Sequence, residues 1–298
     1  MRVIGELISM VLASLLVAAS GYAGEAAAVD VAQVVKNLKQ IGAAAKLDKQ
    51  GHVVAVDFAR ARLQGFDFAQ LSALRQLRSL KCARQPITDA DLQTFARLGK
   101  LKSLALDETK ITDAGLAAIK KLTGLEELFL ANTAVSDAGV ENLLSLPRLK
   151  RLRLSGTRIT DAGLAQLAAI TSLSDLDVSK MAVSNAGLKQ LPTLPHLARL
   201  NLYFTPTTDA GLDSLGTMTG LKWLNLDRTK VSDAGLAKLE PLTGLEFLHL
   251  GRTQVTDAGL PHLAGLTKLA ELHVTHTKVT ADGVKQLQQA LPKCDIKR

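Results

Sequence analysis

The sequence predicts an α/β solenoid, a parallel sheet packed on a layer of short helices, and three observations carry that expectation. The first is a repeated phrase. Ile111-Thr112-Asp113-Ala114-Gly115-Leu116 returns as Val135-Ser136-Asp137-Ala138-Gly139-Val140 and again as Ile159-Thr160-Asp161-Ala162-Gly163-Leu164. Nine copies keep a 24-residue register from Ile87 to Val279. A fixed period of about 20 to 50 residues is the signature of stacked repeats. The second is a change of hydrophobic period inside each unit. Leu152 and Leu154 alternate with polar residues, as in a half-buried strand, whereas Leu164, Leu167 and Ile170 follow at helical steps. The third is size. A 24-residue unit cannot bury its own apolar side, so neighbours must stack into one continuous core.

The elements follow in order. Residues 1–23 read as a signal peptide: Arg2 gives a positive start, Leu7 to Ala19 is an apolar run, and Gly21-Tyr22-Ala23 is a small-x-small cleavage site. The run is shorter than the roughly 20 residues that cross a bilayer. An uncleaved anchor is the alternative, but no stable membrane insertion is expected once the signal is removed. Residues 24–52 form an N-terminal helical cap. Val34, Leu38 and Ile41 give helical spacing over Val31 to Ala45, and Lys49-Gln50-Gly51 makes a turn. Residues 53–290 are about ten repeats, with Val53, Val56, Phe58 and Leu63 at the inward positions of a degenerate first copy. Residues 291–298 close the array with a strand-like segment, as a solenoid's terminal apolar face requires.

Within a unit, Thr160 is placed as a helix N-cap and Asp161 in the first turn, where the helix dipole favours negative charge. A threonine column (Thr109, Thr133, Thr157, Thr205, Thr229, Thr253, Thr277) offers small hydroxyls to backbone groups of the neighbouring coil. The glycine of the phrase permits close approach of coils. A residue that recurs on every turn serves architecture, so no catalytic role is expected for the repeated Asp.

Export permits disulfides, but the two cysteines, Cys82 and Cys294, lie at opposite ends of the array. Two free, buried thiols are expected. The net charge is +8, with a pI near 9.5. Lysines such as Lys120, Lys121, Lys189 and Lys238 read as a solvated outer face. Nucleic acid is not an expected partner of an exported chain.

The phrase Leu-x-x-Leu-x-Leu-x-x-Thr-x-Ile-Thr-Asp-Ala-Gly-Leu resembles the leucine-rich repeat over residues 53 to 298. It is similar to the cysteine-containing subclass of F-box-associated receptors, with threonine in the cysteine column, and to exported bacterial proteins carrying Thr-Asp-Ala-Gly-Leu repeats. The resemblance implies a right-handed arc, with the sheet on the concave side and the helices on the convex side, and protein binding as the usual activity. A ubiquitin-ligase role is not expected, because no F-box-like helical segment precedes the repeats.

Strand alternation then assigns concave columns. One reads Ala55, Ser79, Ser103, Glu127, Arg151, Asp175, Arg199, Trp223, Phe247, Glu271. A second reads Asp57, Lys81, Ala105, Phe129, Arg153, Asp177, Asn201, Asn225, His249, His273. A third runs through Tyr203 and Asp227. Aromatics make up 3% of the chain, so their presence at solvent-facing strand positions calls for a cover. The template also frays here: Met181 interrupts the threonine column, Asn185 replaces Asp, and Thr205-Pro206-Thr207 replaces Thr-x-Val.

These observations predict a non-enzymatic, exported scaffold, periplasmic or extracellular, that binds a protein or peptide on the concave face of its C-terminal half. Trp223, Phe247 and Tyr203 would anchor the partner. Arg151, Arg153, Asp175, Asp177, Arg199, Asn201, Asn225, Asp227, His249 and His273 would orient it. An envelope glycan or cell-wall polymer is the alternative partner, since flat aromatics near Asn, Asp and Arg also suit sugar rings. An F-box-like receptor and a metal enzyme built on His249, Glu271, His273 and His276 rank below. No catalytic residue, metal or cofactor is expected.

Overall fold

The computed structural model describes residues 30–298, so the expected signal peptide over 1–23 lies outside the described residues. A helix over Val31–Gln40 is capped by Asp30, whose side chain accepts from the Ala32 amide at 3.0 Å. It is shorter than the spacing predicts. Gly42 takes φ +82° and reverses the chain, and β1 (Ala44–Leu47) then pairs antiparallel with β2 (Val53–Asp57). The turn between them is held by Asp48, which accepts from the amides of Gln50 and His52, both at 2.9 Å. The N-terminal cap is thus a helix followed by a hairpin.

From β2 onward the sheet is parallel and steps in chain order through β3 (Ser79–Lys81), β4 (Ser103–Ala105), β5 (Glu127–Phe129), β6 (Arg151–Arg153), β7 (Asp175–Asp177), β8 (Arg199–Asn201), β9 (Trp223–Asn225), β10 (Phe247–His249), β11 (Glu271–His273) and β12 (Asp295–Lys297). Residues 24 apart are direct partners in every pair from β3 to β12, as in Trp223 with Phe247. From β3 to β11 each strand buries its central leucine, and apart from Ala105 its flanking residues are at least partly exposed. Short α or 3-10 helices return the chain on the other side. One apolar core runs unbroken from Val34 to Cys294. At its N-terminal end Phe58, Phe66, Phe68 and Phe95 pack edge to face, with centroids 5.3 to 5.6 Å apart, as an aromatic plug.

The repeated phrase works as an inter-coil latch. Asp89 accepts from the Thr112 amide at 2.9 Å and from its hydroxyl at 2.6 Å. Asp113 does the same for Ser136, Asp137 for Thr160 and Asp161 for Ser184. Asp209, Asp233 and Asp257 repeat it for Ser232, Thr256 and Thr280. The repeated Asp therefore serves the next coil as well as its own helix. The glycine makes room for it: a Cβ at Gly187 would stand 2.5 Å from Asp161 Oδ1, and one at Gly259 2.5 Å from Asp233 Oδ1. The ends of the array confirm the pairing. The first copy has Asp91 in the glycine position, where it forms a capping box with Thr88; the last has Ala281 in the aspartate position. The threonine column acts more locally than expected. Each hydroxyl donates to the carbonyl three residues earlier in its own coil, at 2.6 to 2.8 Å, as Thr109 does to Leu106, Thr205 to Leu202 and Thr277 to Val274.

Three departures from the repeat prove to be packing solutions. Met181 is buried against Thr157, with its sulfur 3.8 Å from the hydroxyl. Asn185 keeps the latch with one bond reversed, accepting from the Thr208 amide and donating to its hydroxyl at 2.7 Å. Thr207 is fully buried and meets the Thr205 hydroxyl at 2.9 Å. Both cysteines are buried and free.

Candidate functional site

The aromatics divide sharply. Four phenylalanines form the N-terminal plug, Phe58 and Phe95 buried and Phe66 and Phe68 half-buried; the other described aromatics, Phe129, Tyr203, Phe204, Trp223 and Phe247, all lie outside the core. The repeat register places Trp223 and Phe247 on adjacent strands. Their rings stack with centroids 4.8 Å apart and planes 7° from parallel. The Arg199 guanidinium covers the other face of Trp223 at 4.6 Å, and His273 lies 5.4 Å from Phe247. His249 and His273 stack beside them at 4.5 Å. Neighbouring strands take up the ring faces, so ring edges are what the open face presents.

The charged residues extend the same ladder. Arg151 bridges Glu127 at 2.9 Å and Asp175 at 3.2 Å, and Arg199 reaches Asp175 at 3.4 Å. Hydrogen bonding to Glu127 raises the Arg151 pKa further. Arg153 spans Asp107 and Asp177 at 3.9 and 3.8 Å, and covers Phe129 at 5.0 Å. At the far end Glu271 receives His273 at 2.7 Å and Lys297, bonds that hold its carboxyl below the usual range, Lys297 contributing most.

The second column has a structural duty as well. Asp177, Asn201 and Asn225 each accept from the backbone amide two residues on, at 3.0, 3.1 and 2.9 Å, and His249 Nδ1 accepts from Gly251 at 3.1 Å. These bonds end the strands, a use of short polar side chains common at turns. They leave the Asn amide hydrogens available to a partner. Asp227 stands apart from the other selected residues. It is only 4% exposed, and Arg252 holds both its oxygens at 3.0 and 2.5 Å, so it braces Arg252 from beneath.

The structure thus gathers Arg151, Arg153, Asp175, Asp177, Arg199, Asn201, Trp223, Asn225, Phe247, His249 and His273 on one face, and puts Tyr203 at its edge. Three residues outside that selection belong with them. Phe129 carries a guanidinium at 5.6 Å from Arg151 and at 5.0 Å from Arg153, and its column position already marked it. Phe204 is 56% exposed in a left-handed conformation, φ 54°. The third is Arg252. Among the described residues no three His, Cys, Asp or Glu side chains converge as metal ligands, and no helix is long and apolar enough to cross a membrane.

Strand order and the alternation of short strands with short helices match a leucine-rich-repeat solenoid. The family model described as Leucine Rich repeat matches residues 100–120 and 146–168. No curated protein matches the chain. Among solved structures, the chain is similar to internalin InlF of Listeria monocytogenes, at 23% identity over 78% of this chain and 70% of that one, with a TM-score of 0.59. It is also similar to internalin C2 of the same organism, at 27% identity over 72% and 84%, with a TM-score of 0.56. The Arabidopsis receptor kinase HAESA ectodomain, solved with a peptide hormone, matches at 19% identity over 79% of this chain and 40% of its own, with a TM-score of 0.58.

Proposed function

We propose that the protein is a non-enzymatic recognition scaffold that takes a protein or peptide in extended form along the concave face of its C-terminal half. The observation that carries this is the stacked ladder Arg199, Trp223, Phe247, His273 on the open face of the sheet. Trp and Arg are the residue types that anchor interfaces, and here their conformations are fixed before a partner arrives, which lowers the entropy cost of binding. The face presents ring edges and charge pairs that satisfy one another, an arrangement suited to holding rather than reacting. HAESA, which shares the fold, was solved with a peptide ligand.

Ring orientation favours a peptide over a glycan. Stacking on a sugar ring requires a free aromatic face, and both faces of Trp223 are covered by Arg199 and Phe247. We further place the protein outside the cytoplasm, on the leader-like composition of residues 1–23; N-terminal sequencing of secreted or periplasmic fractions checks this.

The site is tested by selecting a random dodecapeptide library on the immobilised protein. Trp223→Ala is expected to weaken the selected peptides at least tenfold and to cost about 1 kcal/mol of stability, the worth of an exposed aromatic pair. Undiminished binding by this variant, or retention of neutral glycans on an array in place of peptides, rejects the reading.

A further inference from the structure

The residues just beyond the strand ends form a second surface along the edge of the ladder. Eight non-glycine residues spaced by 24, or by 48 across Gly156, take positive φ: Arg84, Glu108, Asn132, Lys180, Phe204, Arg228, Arg252 and His276. A left-handed turn here is part of every coil, so it projects one exposed side chain per repeat. In the N-terminal half this edge is electrically mixed: Arg84 pairs with Glu108 at 3.2 Å. From Lys180 onward it sorts by charge. Lys180, Arg228, Lys230, Arg252 and Lys278 are all exposed. Among the described residues only Arg252 of these five pairs with a carboxylate, the buried Asp227. The latch carboxylates Asp209, Asp233 and Asp257 lie behind the edge, each engaged by the amide and hydroxyl of the next coil and offset by a helix N-terminus.

Phe204 stands in the middle of these cations. It is the one exposed large aromatic among the described residues. Arg228 lies 5.6 Å from its ring centre, Tyr203 is 6.1 Å away, and Lys180 covers Tyr203 at 5.8 Å. A left-handed conformation is unfavourable for a bulky residue, and exposure adds a solvation cost. Arg228 and Tyr203 cover only part of the Phe204 ring, which stays 56% exposed, whereas the Trp223 ring is sandwiched.

We propose that this edge, through Lys180, Phe204, Arg228, Lys230, Arg252 and Lys278, receives an acidic extended segment of the bound peptide, with one apolar side chain of that segment seated on Phe204. The proposal rests on the peptide-scaffold reading and names the partner's chemistry. Four coil steps separate Lys180 from Lys278. At about 4.8 Å per strand they span about 19 Å, which matches six residues of extended chain at about 3.3 Å each. The guanidinium fork of Arg228 suits a carboxylate, and the exposed ring suits Leu, Ile or Phe. A phosphate polymer would use the charge but not the ring.

The test sequences the dodecapeptides selected above and measures their affinity for three variants. Enrichment in Asp and Glu around one apolar residue, with at least tenfold weaker binding by both Arg228→Glu and Phe204→Ala, supports the proposal. So does replacement of the acidic residues by Asn and Gln abolishing binding. Peptides that depend on Trp223 but carry no acidic enrichment, or bind Arg228→Glu undiminished, overturn the acidic edge and leave the scaffold reading standing. Acidic peptides lost in Arg228→Glu but indifferent to Trp223→Ala overturn the ladder and leave the edge. Polyphosphate bound more tightly than any peptide, and equally by wild type and Phe204→Ala, marks a generic polyanion surface and overturns the proposal. An empty selection overturns both.

Discussion

A methyl group added at Gly163 would collide with the Asp137 carboxylate and sit 2.7 Å from Ile159 Cγ2. Asp137 also accepts from the Thr160 amide, the Thr160 hydroxyl and the Gly163 amide, so it cannot yield without losing those bonds. Gly163→Ala should therefore destabilise by about 2 kcal/mol, as overpacked sites do. Gly265→Ala, where nothing lies within 4 Å, should change the melt little; equal effects from the two would dismiss the latch. His249 offers a second expectation at this scale. Burial chiefly lowers its pKa, the positive charge of His273 and Arg252 adds to this, and Asp227 and Glu271 oppose it. The folded state thus favours neutral imidazole, while the unfolded chain takes up a proton as pH falls through about 6.5. Stability from this group is complete above that value and is lost as pH falls below it, towards the folded pKa. Melting temperature should drop between pH 7.5 and pH 5, and His249→Gln, which keeps an acceptor for the Gly251 amide, should flatten the slope.

At the scale of the element, the ladder couples charge to ring position. Asp175 lies between Arg151 and Arg199 and helps hold the latter over Trp223. Exposed pairs of this kind contribute about 0–1 kcal/mol each. Asp175→Ala should leave the melting curve within that range yet weaken peptide binding several-fold by freeing Arg199; calorimetry and titration on one preparation separate the two effects. The columns of this face were legible because strand alternation fixes which side a residue takes and the 24-residue register never slips. Which way a ring turns was not legible, since alternation says nothing of side-chain torsions, and so the covering of both Trp223 faces by Arg199 and Phe247 carried no mark in the sequence. The latch was hidden for a related reason. An aspartate just after a helix N-cap has a sufficient local explanation in its own helix dipole, and its bonds to Thr or Ser 23 residues on carry no local mark. The hairpin at Ala44–Leu47 was masked by apolar spacing that Gly42 interrupts.

For the whole molecule, the core continues from coil to coil, and its ends are its exposed liabilities. Val274 donates to the Lys297 carbonyl at 2.8 Å, and β12 covers the edge of β11. Removing residues 295–298 uncovers that edge, and such edges pair with other chains. The truncated protein should melt at lower temperature and scatter light on standing, where the intact chain stays clear. The two thiols should report global integrity. Burial pushes the Cys294 pKa up to about 11 and that of Cys82 higher still, so a thiol reagent should label neither promptly until denaturant is added. The latch gives the array a direction and a quantum of length. Each latch aspartate serves the Ser or Thr 23 residues ahead of it, so duplication of one whole repeat leaves no donor or acceptor orphaned. Lineages of such a chain can therefore lengthen or shorten by whole cassettes with the latch intact. Each cassette gained between Phe129 and Trp223 would move these two aromatic centres apart by one strand spacing, about 4.8 Å, a vernier by which gene duplication could fit the same side chains to longer ligands.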